Sequence, residues 1–440
     1  MATKKFDYLI IGNSAGGIGC AEGIRRVDTK GTIAMVSDEP YHTYSRPLIT
    51  HLLEGDVDRK GMDFRPRDFY RRHAVEPLLG FRAEDLNTDG RSVKVIGTNG
   101  KAGTRHNLRY GKLLVATGGA PFIPAMDGLG LGGVTPMINL AQSLDVKKRL
   151  ARVRNAVVLG AGLIGTKTAE ALSQVVNRVT MVELADRILA PVSDIRSSRM
   201  AADAFRGNGV EVILNNTVTG IQGDEKGQVT EVVLRDGSVL PCDLFVVAIG
   251  VRPRTDLLEG SGVELASAKV GGGVEVDLNM ETSVEGIYAC GDCAHAHDFV
   301  TGGMRLLPLW PNAYIGGRIA GLNMAGSPHH HRWATNMNSV DFFGFPMVSA
   351  GFMLKPDRKG FEEIVRDEGH WYAKIILQND VIKGLIMAGR VERAGIYLGL
   401  MRGRTKVTAF KRELLTDAFT AVHLPDEVKE EIKKPITVIE

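Results

Sequence analysis

Residues 6–17 read FDYLIIGNSAGG, an apolar run that leads directly into a turn rich in glycine. The run predicts a buried parallel strand, followed by a helix over about residues 16–27 and a second strand over 32–36. In such a βαβ unit the glycines let the backbone approach a pyrophosphate, and the unpaired N–H groups of the helix N-terminus attract negative charge. The start of the chain therefore predicts a dinucleotide site.

The individual residues of this first site follow from the fingerprint. Gly12 and Gly17 occupy glycine positions, and Ser14 stands where the fingerprint prefers its second glycine. A small hydroxyl residue still fits there against phosphate. An acidic residue after the second strand binds ribose hydroxyls, and the sequence leaves Asp38 and Glu39 as alternatives.

A complete second fingerprint lies 148 positions after the first. Residues 156–165 read AVVLGAGLIG, so Gly160, Gly162 and Gly165 form the intact pattern G-x-G-x-x-G behind a short apolar strand. A helix is predicted through about residue 174. The chain is therefore expected to bind two dinucleotides.

The second site also has its acidic residue. A strand over residues 178–182 ends at Glu183, at the distance that places a carboxylate on an adenosine ribose. This carboxylate accepts hydrogen bonds from the ribose hydroxyls and repels a 2′-phosphate, which favours NADH over NADPH. Arg187, four residues further on, is positioned to moderate the preference.

Length and composition restrict the class of protein. The 440 residues are enough for about three domains, and the hydrophobic (44%) and charged (24%) fractions are ordinary for a globular chain. A net charge of +3 without a long basic run argues against nucleic acid as a partner. No apolar stretch approaches the roughly 18 residues that span a bilayer, so we expect no membrane segment. The first apolar run is too short for a signal peptide, which predicts a cytoplasmic protein.

Three later segments carry a resemblance to a known family. They read ATG at 116–118, AIGVRP at 248–253 and YACGD at 288–292. Together with the two glycine turns, they resemble the FAD-dependent pyridine nucleotide–disulfide oxidoreductase superfamily. The resemblance implies an α/β fold with two Rossmann-like domains for FAD and NAD(H), plus a small C-terminal α+β domain. The implied boundaries are 1–120 and 249–328 for a discontinuous FAD domain, 121–248 for the NAD domain, and 329–440 for the C-terminal domain.

Within that superfamily the chain is similar to the rubredoxin reductase and nitrite reductase flavoprotein branch. The similarity lies in YSRPL at 44–48, GLIM at 384–387 and AGIY at 394–397. It extends to FAD subunits of anaerobic multisubunit enzymes such as NAD-dependent tungsten aldehyde oxidoreductase and phenylglyoxylate dehydrogenase. The resemblance adds Arg46, Thr117, Gly118, Asp292 and Asn312 to the predicted FAD-binding residues.

The resemblance also points to two residues beside the hydride path. Pro47 and Lys167 are implied to lie at the face between nicotinamide and flavin. The family usually has glutamate at the position of Lys167, so this chain places a cation where its relatives have a carboxylate. The helix opened by WPNAY at 310–314 is implied to point its N-terminus at the flavin, where its dipole stabilises negative charge.

Cysteine usage decides against thiol chemistry. Disulfide reductases of the superfamily need a cysteine pair on the first helix, which has only Cys20, and residues 40–55 contain no cysteine. Cys290 and Cys293 form a C-x-x-C, but a buried strand end predicts inert thiols. Cys242 is expected to be structural. No cysteine series for an iron–sulfur cluster occurs either, so a cluster that takes part is expected on another polypeptide.

The remaining polar clusters have plain interpretations. His295, His297 and Asp298, and the run at 329–331, are expected to be solvated loop residues and not metal ligands, because no ligand spacing is completed. The arginines at 65, 67, 71 and 72 predict a solvated helix face, or alternatively a docking patch for an acidic electron-transfer partner.

The C-terminal part predicts a small number of elements. A hairpin is expected from strands at 371–377 and 381–386 around Asn379-Asp380. Helices are expected near 393–402 and 407–416. The charged tail from Asp426 predicts a final helix and strand, or an extension that binds a partner.

These features favour an FAD-containing NAD(H) oxidoreductase subunit that exchanges electrons with an iron–sulfur protein or subunit of a multisubunit aldehyde or 2-oxoacid oxidoreductase. Flavin accepts a hydride and releases electrons singly, so it converts between NAD(H) and one-electron carriers. Assembly as a hetero-oligomer or homodimer is expected. The alternatives are a free-standing NADH:rubredoxin or NADH:ferredoxin reductase, an NADH oxidase, and a non-catalytic flavoprotein module.

Overall fold

The computed structural model of the protein describes residues 2–98 and 100–433. Its strands are, in chain order, β1 (Ala2–Ile11), β2 (Ile33–Ser37), β3 (Val75–Leu79), β4 (Phe81–Asn87), β5 (Ser92–Gly97), β6 (Arg105–Val115), β7 (Gly119–Pro121), β8 (Val134–Pro136), β9 (Asn155–Leu159), β10 (Arg178–Val182), β11 (Val210–Ile213), β12 (Val218–Gly223), β13 (Val229–Leu234), β14 (Val239–Pro241), β15 (Leu244–Val247), β16 (Val251–Pro253), β17 (Val274–Glu275), β18 (Ile287–Ala289), β19 (Ala294–His297), β20 (Met304–Leu306), β21 (Met337–Phe342), β22 (Phe345–Gly351), β23 (Phe361–Asp367), β24 (Tyr372–Gln378) and β25 (Val381–Ala388). Its helices are α1 (Ala15–Val27), α2 (His51–Glu54), α3 (Phe69–Arg72), α4 (Leu140–Arg149), α5 (Leu163–Ser173), α6 (Ile195–Gly207), α7 (Trp310–Met324), α8 (Ala394–Arg402) and α9 (Asp426–Lys433).

The first sheet has the strand order β3-β2-β1-β6-β5-β4, with β18 paired to β6. Strands β1, β2, β3, β6 and β18 run parallel, and the antiparallel β4 and β5 extend one edge. Ile11 at the end of β1 pairs with Val115 at the end of β6, which also pairs with Ala289 of β18. This register brings the turns after three distant strands side by side at the carboxyl edge of the sheet.

The second sheet is parallel, in the order β11-β10-β9-β15-β8. Leu159 at the end of β9 pairs with Val182 of β10 and Val247 of β15. The second glycine turn therefore lies beside Glu183. Two segments connect the first and second sheets along the chain. Their strands, β7 and β16, pair antiparallel and form one ribbon.

Helices α1 and α7 pack against each other at unusually close range. On α1, a Cβ built on Gly19 would lie 2.3 Å from the carbonyl oxygen of Tyr314, and one on Gly23 would lie 2.4 Å from that of Arg318. On α7, a Cβ on Gly317 would lie 2.0 Å from the carbonyl oxygen of Gly16. Glycine is needed at these positions because the two backbones touch.

The third sheet is antiparallel, in the order β21-β22-β25-β24-β23. The expected hairpin is confirmed as β24 and β25, and Asn379 and Asp380 adopt positive φ angles of 50° and 63° in its turn. Helix α8 confirms the helix expected near 393–402. The predicted helix from Asp426 is α9, and a final strand would lie outside the described residues, beyond residue 433.

The helix predicted over 407–416 is wrong. This stretch contains a 3-10 turn, Thr408–Phe410, and further turns. The carbonyl oxygens of Leu414, Leu415 and Thr416 accept hydrogen bonds from Tyr397, Arg366 and Arg393. The N–H groups of Phe410, Glu413 and Thr416 each donate to the carbonyl oxygen three residues earlier, so the stretch forms successive turns and not a continuous helix.

Candidate cofactor site

A cavity of about 1860 Å³ is lined by residues of both parallel sheets and of the third sheet. The predicted site residues that line it are Gly12, Ser14, Asp38, Glu39, Arg46, Pro47, Thr117, Gly118, Gly160, Gly162, Lys167, Glu183 and Asp292. The two glycine turns, which are far apart in the chain, thus open into one space.

The first turn shows why its glycines are needed. Gly12 has φ +126°, and a Cβ there would lie 2.2 Å from the carbonyl oxygen of Ala116. A Cβ on Gly17 would lie 1.9 Å from the carbonyl oxygen of Gly12. Gly17 does not line the cavity, so it shapes the turn without facing a ligand. Ser14 precedes α1, and its side chain makes no capping hydrogen bond to the helix.

The second turn has the same construction. Gly160 has φ +98°, and a Cβ on Gly165 would lie 1.9 Å from the carbonyl oxygen of Gly160. Gly165 therefore also acts inside the turn and does not line the cavity. A Cβ on Gly162 would meet no atom within 4 Å, and Gly162 lines the cavity. The open space beside its backbone matches the position where the fingerprint lets a pyrophosphate approach.

Glu183 is held rigidly at the end of β10. One carboxylate oxygen accepts a hydrogen bond from the N–H of Ala161 at 2.7 Å, and the other accepts from Ala185 at 2.8 Å. Arg187, expected as a moderating cation, forms an ion pair with Asp186 at 2.8 Å and does not line the cavity. The charge facing the cavity at this point is therefore the carboxylate.

The two acidic residues after β2 have different partners. Glu39 accepts from Tyr44 through one carboxylate oxygen, at 2.7 Å, and pairs with Arg46 through the other. Asp38 pairs with Arg254 at 3.1 Å. The side chain of Asp38 is 39% exposed and that of Glu39 only 18%, so Asp38 presents more of its carboxyl group to the cavity.

Three residues from other strand ends complete this part of the cavity. Thr117 donates to the carbonyl oxygen of Arg254 at 2.6 Å, which fixes the turn after β6. Gly118 has φ +73° and open space where a Cβ would stand. Burial raises the pKa of the Asp292 carboxyl, and the nearby Arg46 opposes that rise.

Asn312 departs from the prediction. Its amide nitrogen donates to the carbonyl oxygen of Thr335 at 3.0 Å, and the residue does not line the large cavity. The first turn of α7 does reach the cavity, through Trp310, Pro311 and Ala313. Because successive side chains on a helix point in different directions, this position is turned away from the cavity.

Lys167 and Pro47 both line the cavity, on different elements. Pro47 lies in the 3-10 turn Arg46–Ile49, and Lys167 lies on α5. The Lys167 ammonium pairs with Glu170 one turn along the helix and lies 3.3 Å from the carbonyl oxygen of Asp341. Glu170 also accepts from the N–H of Phe343 at 2.7 Å. The pair therefore links α5 to the turn between β21 and β22.

All four cysteines are free and buried. Burial raises the pKa of the Cys290 thiol well above its ordinary value, and it also raises that of Cys293. The Cys293 thiol donates to the carbonyl oxygen of Cys290 at 3.3 Å. These thiols lack the low pKa that reactive cysteines have.

The expectation of solvated loop histidines is wrong for two of them. His295 lies in β19, is 5% exposed, and has no hydrogen-bond partner on either ring nitrogen. His331 is also 5% exposed, and burial lowers its pKa to about 4. Asp298 is fully buried. Among the described residues, neither histidine segment contributes to a group arranged to hold a metal ion.

The arginines at 65–72 do not form one solvated face. Arg65 lies beside Glu22, Arg67 pairs with Asp63, and Arg71 and Arg72 both pair with Asp68. Helix α3 has four residues and carries only the last two of these arginines. The positive charge of this cluster is thus matched locally by carboxylates.

Sequence reasoning missed several groups of cavity residues. Among them are residues 81–84 on β4, residues 337–340 on β21, and Arg254 with Asp256 and Leu257 after β16. No motif marks β4 or β21, because their place at the cavity depends on sheet pairing. Arg254 directly follows the AIGVRP segment at 248–253, and this was the one signal in the sequence that could have identified it.

The cavity fits two dinucleotides. Both glycine turns and Gly118 border it, helices α1, α5 and α7 begin at it, and a fixed carboxylate stands at the end of β10. This arrangement defines an α/β protein with paired dinucleotide sites. Among the described residues, no helix has both the length and the apolarity to cross a membrane.

Comparisons with known proteins agree with this class. The model of the family described as "Pyridine nucleotide-disulphide oxidoreductase" matches residues 6–317. The chain is 30% identical over 423 residues to the epsilon subunit of NADH-dependent phenylglyoxylate dehydrogenase from Aromatoleum evansii, covering 94% of this chain and 96% of that protein. It is 29% identical to rubredoxin-NAD(+) reductase from Pseudomonas putida, covering 72% of this chain and 80% of that protein. The ferredoxin reductase of the CYP199A2 system of Rhodopseudomonas palustris has a TM-score of 0.78 and 26% identity, covering 88% of this chain and 92% of that one.

The chain belongs to the pyridine nucleotide–disulphide oxidoreductase family. It is an FAD-dependent oxidoreductase that uses NAD(H). Its cysteines form no disulfide, so it is a member without a redox-active disulfide.

Proposed function

We propose that the protein is the FAD- and NAD(H)-binding subunit of a multisubunit aldehyde or 2-oxoacid oxidoreductase, and that it exchanges electrons between NAD(H) and an iron–sulfur partner. The observation that carries this proposal is the extent of the match to the phenylglyoxylate dehydrogenase subunit, which spans 94% of this chain. The match to the rubredoxin reductase spans 72%. The similarity to the subunit therefore extends past residue 317, where the family match ends, into the C-terminal part of the chain.

The division into domains is part of the proposal. We assign residues 1–120 and 249–328 to the FAD domain, 121–248 to the NAD domain and 329–440 to the C-terminal domain. The first and second parallel sheets, and the ribbon of β7 and β16 between them, support these boundaries.

We assign the FAD-binding role to Gly12, Ser14, Asp38, Arg46, Thr117, Gly118 and Asp292. Asp38 is preferred over Glu39 as the ribose ligand because its side chain is the more exposed of the two, at 39% against 18%. Arg46 lines the cavity and is assigned to bind negatively charged groups of FAD. The start of α7 adds the positive end of its helix dipole to the same cavity. Gly17 and Gly165 are assigned a structural role, because a side chain at either position would collide with the backbone of its own glycine turn.

NAD(H) is assigned to Gly160, Gly162 and Glu183. Pro47 and Lys167 approach the cavity from different domains, so they are assigned to the nicotinamide side. When bound, FAD supplies the exchange between hydride transfer and one-electron transfer. The protein residues bind and orient the two cofactors and exclude water from the space between them. No described thiol is suited to carry electrons, because the cysteines are buried with raised pKa values.

The experiment is affinity purification of the tagged chain from its native host under anaerobic conditions, followed by identification of bound subunits and their metals. We expect a yellow protein in a stable complex with iron–sulfur subunits. A yellow protein that purifies alone and reduces rubredoxin or ferredoxin with NADH would instead establish a free-standing reductase, a function favoured by the structural similarity to the ferredoxin reductase. A colourless chain that cannot take up FAD would contradict both functions.

A further inference from the structure

An exposed tryptophan lies in the segment before β21, with an arginine against its ring and further cations nearby. The Trp333 side chain is 41% exposed. Its ring lies 5.7 Å from the Phe299 ring and 5.9 Å from the Arg402 guanidinium. Large exposed aromatic residues that stack with arginine are typical of protein–protein interfaces. We call Trp333 and the cations Arg305, Lys383, Arg402 and Arg404 the Trp333 patch.

The charges of the Trp333 patch are poorly compensated. The Lys383 ammonium donates to the carbonyl oxygen of Val300 at 2.8 Å, and burial and Arg404 lower its pKa, although Asp298 opposes this shift. Asp298 is the neighbouring acid, but it is fully buried and lies 3.4 Å from Arg305. In the part of the chain that the structure describes, Lys383, Arg402 and Arg404 form no ion pair with a carboxylate.

This contrasts with the arginines at 65–72, each of which has a carboxylate partner. A surface that already pairs its charges gains little from an acidic partner, because an existing pair must be broken. Uncompensated cations, in contrast, attract an acidic protein over a long range and orient it. The Trp333 patch is thus the better docking surface of the two.

The Trp333 patch also lies next to the cofactor cavity. Trp333 is four residues before Met337, which lines the cavity, so the connecting chain is at most about 14 Å long. Within that segment the carbonyl oxygen of Thr335 is bonded to Asn312 on the first turn of α7. A partner on this patch would therefore stand close to the entrance of the cavity.

We propose that the Trp333 patch docks an acidic iron–sulfur protein or subunit, with the partner's carboxylates on Lys383, Arg402 and Arg404 and an apolar contact on Trp333. This inference rests on the proposed function and names the surface that serves it. Two one-electron transfers from the partner's cluster, with one proton from solvent, balance the conversion of NAD⁺ to NADH. The reverse direction has the same balance.

The test measures binding directly, with an acidic [2Fe–2S] ferredoxin as the probe. The variants are Arg404→Glu alone, Arg402→Glu with Arg404→Glu, and Trp333→Ala, all loaded with FAD. The matched control is Arg71→Glu with Arg72→Glu, a charge reversal of equal size on the ion-paired cluster. We expect the double reversal to raise Kd about tenfold at low salt, with a difference that shrinks as salt rises, and the control to leave Kd nearly unchanged.

Separate readouts distinguish the two proposals. Bleaching of the bound flavin by NADH under anaerobic conditions tests the cofactor sites and is expected to stay unchanged in all variants. If the unmodified protein bleaches but does not bind the ferredoxin, or if the control weakens binding as much as the double reversal, the docking proposal is wrong and the proposed function stands. The docking proposal would also be wrong if these residues bound heparin or anionic vesicles while ferredoxin did not bind. Self-association of the protein through these residues would contradict it as well.

Discussion

At the scale of single residues, we propose that Glu183 selects NADH over NADPH. Its carboxylate is fixed by two backbone N–H groups and faces the cavity, while Arg187 is paired elsewhere. Replacing Glu183 with Gln removes the negative charge that repels a 2′-phosphate. We expect the ratio of kcat/KM for NADPH to that for NADH to rise about tenfold, which corresponds to about 1.4 kcal/mol. Steady-state kinetics with both cofactors measure this ratio.

The control is Asp186→Asn, which removes a neighbouring carboxylate that pairs with Arg187 and does not line the cavity. It is expected to leave the ratio unchanged. Equal ratios for Glu183→Gln and the unmodified protein would mean that another group selects the cofactor.

Lys167 places a positive charge at the cavity, on the side that we assign to nicotinamide, and pairs with Glu170. Oxidised nicotinamide carries a positive charge and reduced nicotinamide is neutral, so the ammonium disfavours NAD⁺ relative to NADH. We expect Lys167→Gln to tighten NAD⁺ by a few fold while NADH changes less. Titrations of the FAD-loaded protein with each cofactor give the two Kd values. A parallel change in both would show that Lys167 acts only by holding α5 to the third sheet.

The C-x-x-C is predicted to be structural. Burial raises the pKa of both thiols, so little thiolate forms at neutral pH. We expect Cys293→Ser to keep turnover with NADH and an artificial one-electron acceptor within about twofold of the unmodified protein. Loss of turnover with full FAD content would show that sulfur takes part in electron transfer.

At the scale of elements, the second glycine turn allows a matched pair of substitutions. A methyl group on Gly165 would lie 1.9 Å from the carbonyl oxygen of Gly160, whereas one on Gly162 would meet no protein atom within 4 Å. We expect Gly165→Ala to lower the melting temperature, because the turn between β9 and α5 must distort. Gly162→Ala is expected to keep the melting temperature but weaken NADH binding roughly tenfold, because the methyl group fills the space of the pyrophosphate.

Thermal melts and NADH titrations of both variants separate the two effects. Tight NADH binding by Gly162→Ala would place the pyrophosphate elsewhere.

At the scale of the whole molecule, a buried ion pair connects the second sheet's helix α6 to the third sheet. Asp194 caps α6 and accepts from Lys374 at 2.7 Å and from Tyr372 at 2.6 Å. Burial by itself would raise the pKa of Asp194, but its bonds with Lys374, Tyr372 and Ser197 hold the pKa below its ordinary value. Because the folded pKa is depressed, this stabilisation is present above the ordinary pKa and is lost as pH falls through the folded one.

We expect Asp194→Asn to lower the free energy of unfolding by about 3 kcal/mol at pH 7, because Lys374 is left buried without its partner. The difference from the unmodified protein should shrink as pH falls below 3.8, the ordinary pKa of the carboxyl. Denaturant unfolding at several pH values measures it. Asp203→Asn, on the exposed face of α6, is the control and is expected to change little at any pH. A difference independent of pH would show that the stabilisation does not come from the charge of Asp194.

Much of the fold follows from local patterns. Both glycine turns, their strands and helices, the β24–β25 hairpin and α8 lie where the sequence predicts them, because each is specified by residues close together in the chain. The stretch 407–416 forms successive turns with bonds between residues three apart in place of its predicted helix, and Tyr397, Arg366 and Arg393 bind its last carbonyl groups. His295 and His331 were similarly misjudged, since their burial comes from packing and not from neighbouring residues.

By itself, the sequence determined the two glycine turns, the acid at Glu183 and the lack of a cysteine pair on the first helix, since each is a short pattern whose chemistry depends only on adjacent residues. Only the tertiary structure decided that Asn312 turns away from the cavity and that the Lys167–Glu170 pair binds the end of β21 and the turn after it. The physical reason is that burial and charge pairing are set by partners distant in the chain, such as Thr335 for Asn312 and Phe343 for Glu170.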